Sequence, residues 1–310
     1  MVTWKKHRSF EAFTVGEAFP LEDRVITAAE RSLFAQRYEG RPLPASDEPV
    51  SFWHIVTAVW AQWVCTQTDD GTMVAGMSVD QGNWFRPVAI NDVLGGTVTI
   101  SRKRVFSGGD AGSVSFLLHV FKKTPAGDLP VCTVEITGKM GLRHPLPRKK
   151  RPAPPLLTFP ERTKLSLIPA RRNQLDEPVG SLWKAPPICL STEDIVAFGK
   201  TYDNRPMHVD IAAASAGPFG GLFSSGLHSM AALMGVGLRL FGADVFTGPL
   251  RLRQAQWLAP CRPNVAYQPS VVLIQKGTAE MPDSSLLDFQ LQADGAPPIL
   301  RCLLEVGEQA

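Results

Sequence analysis

The stretch TYDNRPMHVD, Thr201 to Asp210, sets a carboxylate at Asp203 and an imidazole at His208 five positions apart, with Pro206 between them. Proline fixes its own φ and disfavours helix at the preceding residue, so the segment is expected to be held extended or turned. That rigidity lets the two side chains approach one point. A carboxylate and an imidazole converging on a water form a general acid–base pair, and histidine titrates close to physiological pH. Downstream, FGG and SSG place glycines just ahead of an apolar run that begins at Gly226. The first amides of a helix starting there have no intrahelical acceptor, and Gly226 has no Cβ to obstruct a carbonyl oxygen. Such an amide, backed by the helix dipole, suits a developing enolate oxygen. These parts fit proton transfer beside a carbonyl with water as co-substrate. An ordinary Asp-Asn turn with a locally hydrogen-bonded histidine accounts for the same residues.

The elements that must position this segment occur twice. FAQRYEGRPLP (Phe34 to Pro44) aligns without a gap on FGKTYDNRPMH (Phe198 to His208). Glu39 stands where Asp203 stands, and Pro44 where His208 stands. GNWFRPVAIND around Trp84 likewise parallels AQWLAPCRPNV around Trp257, each with proline three residues after the tryptophan. Between the copies lies RHPLPRKKRPAPPLLTFPERTK, too rich in proline to continue a helix or a central strand. The expected organisation is a first unit over 1–142, a linker over 143–177 and a second unit over 178–310. Each unit has helix-start chemistry (Thr27 ahead of Glu30; Ser191 or Thr192 ahead of acidic residues), then a long helix apolar on nearly every face. Val50 to Cys65 and Ser225 to Phe241 are those helices. Alternating segments follow, which suit antiparallel strands with one exposed face. The fold class is α+β: a sheet wrapped around a central helix, given twice, with the two units able to pair edge to edge.

Composition narrows the partners. The chain has 310 residues, 44% hydrophobic and 20% charged, with a net charge of only +3. That describes a globular protein without the basic excess of a nucleic-acid binder. The RKKR cluster at Arg148 to Arg151 reads as solvated linker. Five scattered cysteines without a Cys-x-x-Cys indicate neither a disulfide framework nor zinc, and suit a reducing compartment. No apolar run is long enough for a bilayer, so a soluble cytoplasmic protein is expected. No glycine-rich phosphate loop or metal-ligand cluster is present, so no metal and no redox cofactor is expected. GLFSSG lacks the Gly-x-Ser-x-Gly spacing of a serine nucleophile elbow. Arg251, Arg253 and Arg262 are either phosphate contacts or strand charges.

Asp203, Pro206, His208 and Asp210, with FGGL at Phe219 to Leu222 and SGLH at Ser225 to His228, resemble the MaoC-like (R)-specific enoyl-CoA hydratases and dehydratases, or hydratase 2 family. The resemblance is strong over about Phe198 to Leu240. It implies two tandem hotdog folds forming a pseudo-dimer. It also implies a hydro-lyase that adds or removes water across C2–C3 of an acyl-CoA. Asp203 and His208 would activate the water and handle the α-proton, in an order the sequence leaves open, while the Gly226 amide holds the thioester oxygen. Tyr202, Arg205, Ser225 and His228 are the expected substrate-binding side chains, His228 as a packed or pocket-lining residue. Coenzyme A would be part of the substrate, with no separate cofactor, no membrane and no nucleic acid. Pairing of chains into a homodimer or higher oligomer stays open. Arg205 departs from the family, many of whose members have asparagine before the proline. The first unit lacks the histidine, so one site per chain is expected, with the first unit shaping an acyl pocket. A hotdog thioesterase and a non-catalytic acyl-CoA-binding protein are the alternatives.

Overall fold

The computed structural model describes residues 8–67, 73–147, 159–160, 162, 165–168, 175–279 and 281–307; the Arg148–Arg151 cluster lies outside them. The first half contains β1 (Ala18–Val25), α1 (Ala28–Leu33), α2 (Phe52–Gln67), β2 (Met73–Trp84), β3 (Val93–Val105), β4 (Ala111–Lys122) and β5 (Leu129–Gly141). A short strand, β6 (Ser166–Leu167), follows. The second half contains β7 (Ser181–Lys184), β8 (Ile188–Cys189), α3 (Thr192–Tyr202), α4 (Pro206–Val209), α5 (Ile211–Ala216) and α6 (Gly226–Phe241). It closes with β9 (Leu250–Trp257), β10 (Ala266–Lys276), β11 (Ser284–Ala293) and β12 (Pro298–Gly307).

The caps form as their residue types dictate. The Thr27 hydroxyl accepts from Glu30 N–H, and Ser191 Oγ accepts from Asp194 N–H, each satisfying an orphan donor of a first turn. α1 runs on into a π-helical turn at Phe34–Tyr38. α2 and α6 are buried along nearly their whole length, which explains why they lack a polar face.

The strands form one sheet in the order β1-β3-β4-β5-β2-β9-β12-β11-β10-β7-β6, with β8 pairing β10. Among the described residues every pairing is antiparallel except β6 with β7. The order of the first five strands is repeated in mirror sequence by β9-β12-β11-β10-β7, so an approximate two-fold axis passes between β2 and β9. There Ser78 faces Gln256 and Trp84 faces Leu250. The chain therefore has the expected double-hotdog architecture, each half a curved antiparallel sheet with one long helix against it. Joining β2 to β9 also removes two edges that would otherwise be open to pairing.

The 143–177 segment is less uniform than its composition suggests. Ser166 and Leu167 add a short parallel strand beside β7. Arg162 Nε donates to Asp288 Oδ2 at 2.6 Å and its Nη1 to Ser270 Oγ at 2.8 Å, anchoring the linker to the outer face of the second sheet. No helix among the described residues is long and apolar enough to cross a membrane.

Candidate active site

Asp203 ends α3, and Arg205 in extended backbone starts the single turn α4, with Pro206 as its first residue. Proline suits that position because the amide it lacks would have no intrahelical partner. The segment is thus a turn closing into a helix rather than an extended run, and it carries His208 back towards Asp203. His208 Nε2 lies 3.6 Å from Asp203 Oδ2. The other ring nitrogen, Nδ1, is 2.9 Å from the carbonyl oxygen of Phe223, which can only accept, so Nδ1 carries the proton and donates it. That bond fixes the tautomer and leaves the Nε2 lone pair facing the carboxylate and the cavity.

Asp203 is more tightly held than its sequence context suggests. Arg205 grips it bidentately, Nε to Oδ1 and Nη2 to Oδ2, both at 2.6 Å. Ser225, the N-cap of α6, donates its hydroxyl to Oδ2, also at 2.6 Å. Asp203 is 1% exposed and His208 2%. Burial alone would raise the Asp203 pKa, but the Arg205 charge, His208 and the hydrogen bonds from Arg205 and Ser225 outweigh it and hold it down to about 2. Burial lowers His208 to about 4 against the pull of Asp203, so at neutral pH the imidazole is uncharged and the carboxylate charged.

Gly226 is the first residue of α6, and its missing Cβ has a specific cause. A Cβ there would sit 2.9 Å from Cε2 and 3.0 Å from Cζ2 of the Trp257 indole. Trp257 is held in that position by its Nε1, which donates to Ser229 Oγ at 3.1 Å. Asp203, Arg205, His208, Ser225 and Gly226 all line one cavity of about 1040 Å³, mouth included. Further wall comes from Phe219, Phe223 and Trp257 to Cys261 of the second half and, from the first half, from residues including Trp53 and Trp60 of α2, Phe116 of β4 and Ile136 of β5. The two halves meet at this point through Trp53 Nε1, which donates to the Leu227 carbonyl at 2.9 Å.

The structure places two of the expected substrate contacts outside the cavity lining. Tyr202 is buried away from the cavity, its hydroxyl 3.1 Å from Glu30 of the other half. His228 lies flat on Phe198, centroids 4.4 Å apart and planes 5° apart, and does not line the cavity either. Both residues point from the helices into the seam between the halves, where Phe34 and His54 form the matching stack at 3.9 Å and 6°. Of the three arginines left undecided, Arg253 pairs with Glu305, and Arg262 donates to the carbonyls of Phe219, Gly221 and Leu222. Arg262 thereby braces the glycine loop that delivers Phe223 to His208. Sequence reasoning missed this role, and it missed the Phe223 carbonyl and the Trp257 lid over Gly226. The Trp257 role had a signal in the repeated Trp-x-x-Pro.

In the first half the corresponding place is closed. Glu39 is gripped by Arg41 Nε at 2.6 Å and bonded by Ser51, as Asp203 is by Arg205 and Ser225. However, Pro44 replaces the histidine, and Phe52 stands where Gly226 does. The Phe52 ring packs edge-on against Trp84 at 5.1 Å and stacks on Phe246 at 5.8 Å. The space left there is about 270 Å³, and Glu39 does not line it.

Residues 175–281 match the family described as MaoC like domain. Over its full length the fold is similar to a MaoC domain protein of Chloroflexus aurantiacus (TM-score 0.72, 16% identity, 97% of each chain). It is also similar to a double-hotdog protein of Mycobacterium tuberculosis (0.63, 12%, 97% of each) and a MaoC-like dehydratase of Phytophthora capsici (0.58, 14%, 95% of this chain and 96% of that one). In sequence, the uncharacterized protein YdeM of Bacillus subtilis is 32% identical over 78 residues, which are 24% of this chain and 55% of that protein. The match thus spans about half the length of that relative. Residues 175–281 are thus similar to a MaoC-like domain, and the whole chain has the double-hotdog fold.

Proposed function

We propose that the protein is a hydro-lyase that hydrates a trans-2-enoyl thioester to the 3-hydroxyacyl thioester, or runs the reverse, with coenzyme A as the thiol carrier. One observation carries the reading: a neutral imidazole with its lone pair exposed, a fixed carboxylate and the first amide of a long helix share one wall of an apolar cavity. The match to the MaoC like domain and the dehydratase named among the structural relatives support the same class.

The geometry also favours a division of labour. Both oxygens of Asp203 are taken up by Arg205 and Ser225, and the same contacts hold its pKa below the usual carboxylate range, which makes it a poor base. His208 Nε2 therefore takes the proton from water as the water oxygen bonds to C3. The electron pair of the double bond moves towards C1, and the thioester oxygen, now enolate-like, accepts a hydrogen bond from Gly226 N–H. The imidazolium formed is stabilised by the adjacent Asp203 charge. It then returns a proton to C2, which completes the addition without net proton gain or loss. Asp203 remains ionised throughout and acts by position and charge.

The test is loss of enoyl-thioester absorbance on adding purified protein to enoyl-CoA substrates, run alongside a thiol reagent. Hydration without thiol release is expected, and His208→Ala and Asp203→Asn should each lower it by about 10²–10⁴ while remaining folded. Stoichiometric thiol release would assign thioester hydrolysis instead. Near-normal turnover by either variant would remove the assigned roles.

A further inference from the structure

Among the described residues, the part of the cavity built by the first half contains no charged side chain, and its shape is set by one strand pair. Trp53, Trp60 and Val64 line it from α2, at spacings of seven and four residues that keep them on one helix face. Opposite them lie β2 and β5, where Gly76 faces Gly138 directly in the ladder. Residues directly opposite in an antiparallel pair point to the same side of the sheet. A Cβ at Gly138 would meet Met73 Cε at 2.4 Å, and Met73 is itself part of the cavity wall. A Cβ at Gly76 would meet nothing within 4 Å. Gly76 is thus a gap in the wall: it lines the cavity, and no atom of the described residues lies where its side chain would go. Its backbone φ lies outside the positive range, so nothing in the local conformation requires glycine.

Resting on the reading above, we propose that this compartment receives an extended, uncharged acyl tail, and that Gly76 is the residue that sets the length accepted. From Trp53 to Val64 the helix rises about 16 Å at about 1.5 Å per residue. An extended chain advances about 3.5 Å per three bonds, so that length spans about 14 bonds and accommodates a tail of up to about 14 carbons. A terminal carboxylate would have to shed its water against tryptophan, methionine and glycine with no partner charge, which disfavours dicarboxylic acyl groups. Arg205 does not change this, because two of its nitrogens are bound to Asp203.

The experiment compares kcat/KM for trans-2-decenoyl-CoA and crotonyl-CoA in wild type, Gly76→Ala and Gly76→Leu. In parallel, binding of saturated decanoyl-CoA is followed by fluorescence of the tryptophans that line the compartment. Wild type should prefer the decenoyl substrate. Gly76→Leu should lower the decenoyl-to-crotonyl ratio by about tenfold or more, and Gly76→Ala by less in the same direction. Decanoyl-CoA affinity should fall in step. Should Gly76→Leu fail to fold, the Gly76→Ala ratio decides. An unchanged ratio in folded variants, or faster turnover of a dicarboxylic enoyl-CoA than of decenoyl-CoA, would overturn the proposal. Wild type that turns over no enoyl-CoA, yet binds decanoyl-CoA about tenfold better than Gly76→Leu, would overturn the catalytic reading and keep this one. Turnover with decanoyl-CoA affinity unaffected by Gly76→Leu would do the reverse.

Discussion

Replacing Arg205 by methionine keeps an unbranched stem, shortened at its tip, and removes the charge that neutralises Asp203. In the wild type the guanidinium makes two hydrogen bonds of 2.6 Å to a carboxylate that is 1% exposed, and is itself 5% exposed. Removing one partner of such a buried pair costs about 3–5 kcal/mol, most of it from the charge left behind. The cost must depend on pH in a definite direction. In wild type the Asp203 pKa is depressed to about 2, so the pair's contribution is fully present above the unfolded-state pKa of ~3.9 and is lost as pH falls towards 2. Without Arg205, burial dominates and pushes the carboxyl up, so the folded variant gains a proton that the unfolded chain lacks at neutral pH. The stability gap between wild type and Arg205→Met is therefore largest near neutrality and narrows as pH falls through 4. Urea unfolding followed by tryptophan fluorescence, at a series of pH values, measures the gap. Adding Asp203→Asn to Arg205→Met should recover much of the loss, because no buried charge is then unpaired. A loss below about 1 kcal/mol at neutral pH, or a gap that does not vary with pH, would refute the pairing argument.

Gly226→Ala should lower hydration by about 10²–10³ by forcing the Trp257 indole and the α6 amide apart, with a stability loss of about 1–3 kcal/mol; steady-state kinetics and thermal unfolding measure the two effects separately. Three buried histidines, His54, His208 and His228, have pKa values lowered chiefly by burial, His208 to about 4 and His228 to about 3. Their unfolded forms take up protons below about pH 6.5 and the folded forms do not, so stability should fall as pH drops from 6.5 towards 4. His228→Phe should flatten that slope in a plot of melting temperature against pH, since the ring stacks on Phe198 and its nitrogens have no hydrogen-bond partner among the described residues.

Much of this architecture was legible because it rests on local rules. Thr27 and Ser191 cap helices as their type and spacing predict, and the helices at Phe52 and Gly226 lack a polar face because they lie between sheet and partner half. Strand β2 escaped notice. Its sequence, MVAGMSVDQGNW, does not alternate cleanly, since it lies mid-sheet and gives up side chains at Gly76 to the cavity. The linker strand at Ser166 depends on an edge offered by β7, which no local pattern announces. At the site, the Asp-x-x-Pro-x-His spacing singled out the carboxylate and imidazole that the fold brings together, but spacing carries no information about which way a helix face turns. Tyr202 and His228 therefore read as pocket residues, although they point into the seam between the halves. Arg205 was visible as a departure, yet its partner was not, because a bidentate grip two residues back depends on the turn that Pro206 makes.

The first half offers an independent way to separate scaffold from chemistry. Glu39, Arg41 and Ser51 reproduce the carboxylate, arginine and serine of the second half, although Pro44 takes the place of His208 and Phe52 fills the place of the open glycine. A cluster that persists where nothing can react is being held by the fold. It ties the turn after one helix to the N-cap of the long central helix and leaves no buried polar atom of the carboxylate unpaired. Arg239 of α6 also donates to the Glu39 and Gly40 carbonyls, so this knot fastens one half to the other. Under the proposed function, the same knot in the second half gains its chemistry through two differences, His208 for Pro44 and Gly226 for Phe52. Glu39→Gln should consequently destabilise the protein by about 2–4 kcal/mol, as expected for a buried arginine losing its charge partner, and leave hydration per folded molecule close to wild type. Asp203→Gln should show the opposite balance in turnover, with a comparable stability loss and activity reduced by orders of magnitude. Denaturant midpoints and kcat on the folded fraction separate the two. Equal losses of kcat in both variants would mean that the first-half knot also takes part in the reaction, and the one-site reading would fail.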